Sequence, residues 1–146
     1  MRPWQLSIAL GGFLLSASAH AAEVTVTDAW IRALPGHLPA AGYFVLRNVG
    51  SRELSLTGAS SPVCGMLMLH KSSSDNGMAN MMDMDDVAIP AGGSVTFAPG
   101  GLHLMCVDPK PLKLGSGVPV TLQFSTGKNV TATFVVRNAL GHGARQ

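Results

Sequence analysis

Four side chains in this sequence have the types and spacing to hold a soft metal ion: His70, Met81, His103 and Met105. Thioether sulfur is a poor ligand for Zn, Mg or Ca but suits Cu(I), and imidazole accepts several metals. No thiolate is required, which helps where free thiols oxidise. The surrounding stretch is unusually rich in methionine, with Met66, Met68, Met78, Met81, Met82 and Met84 falling within 19 residues. A single His or Met in a β protein is more often packing or surface than ligand. A site therefore requires the chain to bring all four together.

Two strand patterns do so. Asn76-Gly77 suits a two-residue type I′ hairpin turn, and that turn pairs residues whose numbers sum to 153. Ser72 then faces Met81, Leu69 faces Met84, and His70 faces Asp83. His70 and Met81 become diagonal neighbours on one face, within reach of long side chains. Leu67, Leu69, Met82 and Met84 share the opposite face, which is expected to be the core. Met66, Met68, His70 and Met81 are left outside it. In Leu102–Val107 the leucines Leu102 and Leu104 alternate with His103 and Met105, so core leucines place His103 and Met105 together on the other face. Met66, Met68 and Met78 are expected to form a soft rim. Asp83, Asp85 and Asp86 are adjacent carboxylates without further oxygen ligands and read as a solvated edge. His37, on a Pro/Gly loop, and His142, in a polar tail, also read as solvated.

The elements that carry these residues are strands throughout. Short β-branched or aromatic runs are separated by Gly/Pro/Asn turns, predicting strands near Val24–Ile31, Gly42–Asn48, Glu53–Ala59, Gly65–Lys71, Met78–Met84, Ser94–Ala98, Leu102–Val107, Val118–Phe124 and Val130–Asn138. No segment keeps a helical period over three turns. With 17 glycines and nine prolines, the pattern is that of an all-β chain folding as an antiparallel sandwich or barrel. Phe44 and Leu46 alternate with Tyr43 and Val45, and Val120, Leu122 and Phe124 alternate with polar residues. Trp30 and the phenylalanines are expected to pack the core.

The chain has 146 residues, of which roughly 125 are expected to form one mature domain. Residues 1–22 have a basic start at Arg2, an apolar run from Leu6 to Leu15 and a small-residue end, the layout of a signal peptide. Cleavage is expected after about residue 21 or 22. The competing site at Ala17-Ser18-Ala19 would expose His20 as an N-terminal Cu(II) chelator. The apolar run is too short to span a bilayer. The domain is placed at 23–140, with 141–146 as a flexible tail. Without Arg2, nine Lys/Arg stand against eight Asp/Glu, scattered without a basic stripe, which argues against nucleic-acid binding. Cys64 and Cys106 are the two cysteines; an even count in an exported domain favours a disulfide, and the lack of CxxC spacing argues against thiol redox catalysis. Alternation puts Cys64 on the His70 face and Cys106 on the core face, so the bridge calls for a bulge, for which Gly65 is the candidate. No nucleophile with a base, and no acid–base pair, points to an enzyme.

The spacing His70, ten residues, Met81, twenty-one residues, His103, one residue, Met105 resembles the H-x10-M-x21-H-x-M pattern of the periplasmic copper chaperone family PCu(A)C. The similarity extends to Ala41-Gly42-Tyr43-Phe44, Asn76-Gly77, Ile89-Pro90-Ala91-Gly92-Gly93, Pro99-Gly100-Gly101 and Pro111-Leu112 before Gly115. The resemblance implies a cupredoxin-like Greek-key β-barrel binding one Cu(I) per chain at His70, Met81, His103 and Met105. It further implies a monomeric periplasmic chaperone that passes copper to the CuA subunit of cytochrome c oxidase or to a Sco-type thioredoxin-like chaperone. The tail, with one His and no Met, departs from members whose tails are rich in both, and the cysteine pair is not part of the family's ligand pattern. Two rival readings are a cupredoxin-type electron carrier, which needs a Cys ligand, and a metal-independent β-sandwich interaction module.

Overall fold

A computed structural model describes residues 23–143 as ten strands, with no helix among the described residues. The expected signal peptide and residues 144–146 lie outside the described residues. The strands are β1 (Val24–Arg32), β2 (Ala40–Asn48), β3 (Leu54–Ser60), β4 (Cys64–Asp75), β5 (Met78–Asp83), β6 (Val87–Ile89), β7 (Ser94–Phe97), β8 (Leu102–Pro109), β9 (Gly117–Phe124) and β10 (Asn129–Arg137). Seven of them run β4-β8-β2-β1-β10-β9-β3, and a single β3–β4 pair, Ala59 opposite Leu67, closes the barrel. Neighbours are out of chain order, as Greek-key connections require. Pairing is antiparallel except for β1 and β10, which run parallel. β5, β6 and β7 attach to the wall through β4, β3 and β2.

Alternation fills the interior. Phe44, Phe97 and Phe134 are almost fully buried, with Phe44 stacked on Phe97 at 4.3 Å between ring centroids and tilted against Phe134 at 5.4 Å. Leu46, Leu56, Leu104, Val120, Leu122 and Val136 complete this layer. Gly42 lets β2 pass close to it: a Cβ there would sit 3.3 Å from Leu104 Cβ and 3.4 Å from the Phe134 ring.

Three expectations are corrected. Trp30 stands half-buried outside the core, while Ile31 turns inward. The cause is a bulge in β1 between Thr27 and Trp30, where Asp28 has φ 52°; the extra residue reverses the in–out parity of the strand beyond it. Met82 is 53% exposed and faces Lys71, not the core. β5 pairs only with β4, so its outer part runs past the barrel wall with no layer beneath it. Met84, nearer the wall, packs against the core as expected. The short β6, which holds only three residues, falls below the length at which a period can be read.

The third correction concerns the disulfide. Cys64 and Cys106 are bridged, with Cα atoms 5.4 Å apart. No register shift at Gly65 is involved, because partners on β4 and β8 sum to 173 from Lys71–Leu102 through to Cys64–Pro109. In a flat ladder that register offsets the two cysteines by three residues, roughly 10 Å along the strand. The strands must therefore bend, and the irregularity lies at Asp108, which has φ 48° opposite Gly65. The glycine is needed there: a Cβ on it would lie 3.1 Å from that of Asp108. The bridge closes a separation of 42 residues, and a loop of that size stabilises by about 2–4 kcal/mol. Replacing both cysteines with serine should lower the unfolding free energy by about that amount, measured by urea denaturation. An unchanged midpoint and slope would contradict it.

Candidate metal centre

The site is built on the β4–β8 ladder. Leu69 pairs with Leu104 toward the core, and the next pair, His70 opposite His103, points to the other face. The hydrophobic leucines thus dictate where the imidazoles go. Both histidines are nonetheless buried, at 7% and 5% exposure, with ring centroids 5.6 Å apart and planes at 75°. His103 Nδ1 lies 3.1 Å from the Gly101 carbonyl oxygen. A carbonyl only accepts, so Nδ1 carries the proton and Nε2 is left with its lone pair. The same carbonyl accepts the Ser72 amide at 3.0 Å, tying the hairpin to the turn that precedes β8.

His70 is different. Asp83 Oδ1 stands 2.8 Å from its Nε2, while its buried Nδ1 has no hydrogen-bond partner. Buried polar atoms are normally satisfied, since leaving one unpaired costs about 1–3 kcal/mol. An unpaired buried nitrogen beside a second buried imidazole is a donor arrangement suited to a metal ion.

The hairpin register matches expectation pair by pair: His70 opposite Asp83, Ser72 opposite Met81, Asp75 opposite Met78. Asn76 and Gly77 both take positive φ, 52° and 77°, as a type I′ turn demands. Met81, His103 and Met105 line one pocket of about 280 Å³, together with Arg32, Leu34, Pro39, Ala41, Tyr43, Ser72 and Gly100. His70 adjoins that pocket through His103. Met68 is half-buried opposite Met105, whereas Met66 and Met78 are 57% and 69% exposed and line no part of the pocket. His37 and His142 are exposed, as expected. A larger groove of about 380 Å³ holds His37 but none of the four candidate ligands. Among the described residues no three of His, Cys, Asp and Glu cluster as a metal site; what gathers is two imidazoles with thioethers.

Arg32 and Tyr43 are pocket residues that ligand spacing did not reveal. They reach it through long-range pairing, Arg32 opposite Ala41 and Ala41 opposite Met105, and no local pattern signals that.

Burial pushes the His103 imidazole below its ordinary value of 6.5; the hydrogen bond to Gly101 opposes this, and the charges of His70 and Arg32 add to it. Burial likewise raises the Tyr43 phenol, against the opposing pull of Arg32. A depressed histidine means the unfolded chain takes up the proton first as pH falls through 6.5. Stability of the metal-free protein should therefore decline from that point and level off below the folded-state value. An imidazole titration followed by NMR should give His103 a midpoint below 6.5. A midpoint at or above that value would contradict the assignment.

Comparison with known proteins agrees with this fold. Residues 24–136 match the family described as "Putative lipoprotein LpqE-like". The "Putative lipoprotein Lxx21020" of Leifsonia xyli is 34% identical over 120 residues, covering 81% of this chain and 72% of the relative. The solution structure of the Cu(I) form of DR1885 from Deinococcus radiodurans superposes with a TM-score of 0.68 at 31% identity, covering 86% of this chain and 85% of that one. The copper-bound PCuAC domain of PmoF2 gives 0.68 at 26% identity, covering 80% and 94%. With a family match over most of its length and the barrel of these neighbours, the chain belongs to the LpqE-like family and is a PCuAC-type domain.

Proposed function

We propose that this protein is a periplasmic Cu(I)-binding metallochaperone that takes one copper ion per chain at His70, Met81, His103 and Met105. The observation that carries the reading is the buried His70–His103 pair beside the pocket that holds Met81 and Met105, with His70 Nδ1 unpartnered and Nε2 of His103 left free by Gly101. Two neutral imidazoles and two thioethers make an uncharged, soft donor set, which favours the monovalent ion. The copper-bound neighbours carry their metal on the same barrel, which supports the reading.

The four donors are not held alike. His70, His103 and Met105 sit on two strands braced by seven ladder pairs and a disulfide. Met81 lies on the edge strand β5 and is 57% exposed. The three anchored donors retain the ion, and the outer thioether is the one that an acceptor's ligand displaces first. Long, flexible methionine side chains suit that exchange. The acceptor is a copper protein of the same compartment, the CuA subunit of cytochrome c oxidase or a Sco-type thioredoxin-like chaperone, met by a monomer. Export is supported by the lipoprotein description of its relatives. The electron-carrier alternative loses its essential ligand, because both cysteines are consumed by the bridge.

Cu(I) competition titrations under reducing conditions test the proposal. His70→Ala and Met105→Ala should each weaken binding by more than about tenfold, since loss of a group that merely supports a ligand already costs 10–100-fold. Met81→Ala should chiefly speed release. Unchanged stoichiometry and affinity in both of the first two variants would overturn it.

A further inference from the structure

Arg32 is the charged side chain lining the pocket that holds Met81, His103 and Met105. It reaches the pocket from β1 across Ala41, whose single methyl group separates Arg32 from Met105 in the ladder. Its guanidinium lies over the Tyr43 ring, 5.4 Å from the centroid. Tyr43 in turn packs against Trp30 at 4.7 Å, and Arg137 lies over Trp30 at 5.2 Å. Arg137 and Arg32 are themselves ladder partners. Two cations and two aromatic rings thus interleave on the outer wall, each cation over a ring face, where the quadrupole attracts it. Arg32 Nε is buried and has no hydrogen-bond partner, and the ion pair among the described residues is His70–Asp83, not one to Arg32. Asp83, the acidic group nearest the histidines, contacts His70 and is 85% exposed.

We propose that Arg32 is a specificity-determining residue of the copper site, held by Tyr43 so that its fixed positive charge favours monovalent over divalent copper. The inference rests on the copper reading above and adds a reason why the site discriminates by charge as well as by softness. The four donors are neutral, and the carboxylate at the edge of the set, Asp83, is exposed and common to the wild type and every Arg32 variant. A neighbouring cation repels Cu(II) twice as strongly as Cu(I). A unit charge roughly 8 Å away, at an effective permittivity of about 30 for a half-exposed group, changes the affinity ratio by about tenfold. The aromatic staircase matters because it holds the charge beside the pocket, whereas an arginine free to swing into solvent would stand farther from the ion.

The test measures the affinities for Cu(I), by competition with bicinchoninate under ascorbate without oxygen, and for Cu(II), by competition with glycine, on the full mature chain. Arg32→Gln should raise the Cu(II)-to-Cu(I) affinity ratio by about tenfold, while Arg32→Lys, which keeps the charge, should stay near the wild-type ratio. Raising the ionic strength from about 0.05 to about 0.5 M should narrow the difference in ratio between the wild type and Arg32→Gln, a comparison in which Asp83, present in both, cancels. An Arg32→Gln protein that binds both ions more weakly in equal proportion, or an Arg32→Lys protein whose ratio matches that of Arg32→Gln, would overturn the charge role. Failure of the wild type to bind Cu(I) at all would instead remove the copper reading on which it rests.

Discussion

The pairing of β4 with β8 is the constraint on which the rest of this structure depends. Its register, with partners summing to 173 over the whole ladder, places Leu69 against Leu104 in the core and, one step on, His70 against His103 on the opposite face. Side chains alternate with a period of two, so a slip of one residue in either strand would send its imidazole into the hydrophobic interior and its leucine out. The energetic penalty for that exchange is large on both sides: buried leucine contributes about 1.5–3 kcal/mol, and an imidazole in the core has no partner. The same packing that makes the barrel stable therefore also aligns the side chains proposed as metal donors. The disulfide at the far end of the ladder restrains the same two strands.

Around that rigid pair the remaining parts are graded in mobility. Met105 stands on β8 itself, anchored by β2 and β4 on either side. Met81 is contributed by an edge strand with one neighbour and an exposed side chain. The Gly101 carbonyl joins the two regions, accepting from His103 Nδ1 and from the Ser72 amide. A carrier has to bind firmly and still yield its cargo, and one flexible proposed donor set against three fixed ones meets both needs. The wall beside the pocket, Arg32 on Tyr43 on Trp30, is stiff and cationic where the hairpin is pliant and rich in sulfur.

Most of this was legible from local pattern. The hairpin register followed from Asn76-Gly77 because a two-residue turn determines pairing directly, and the face of His103 and Met105 followed from their alternation with Leu102 and Leu104. What escaped was non-local. The β1 bulge at Asp28 exchanges the roles of Trp30 and Ile31, and a single aspartate carries no mark that it will adopt positive φ. Met82 reads as core by parity, yet parity says only which face a residue shares and not whether anything covers it. Arg32 and Tyr43 join the site because β1, β2 and β8 lie side by side in an order the chain does not follow. The cysteines show both limits: pairing arithmetic found the bridge, while the bend at Asp108 that permits it had no signal in the sequence.

The central claim is that two imidazoles and two thioethers, brought together by one ladder and one hairpin, form a Cu(I) site. X-ray absorption on the Cu(I)-loaded protein counts those donors directly. The account predicts a first shell of two nitrogen and two sulfur scatterers, with the sulfur contribution reduced by one in Met81→Ala and the nitrogen contribution reduced by one in His70→Ala. A shell without sulfur, or one unchanged by both substitutions, would contradict it.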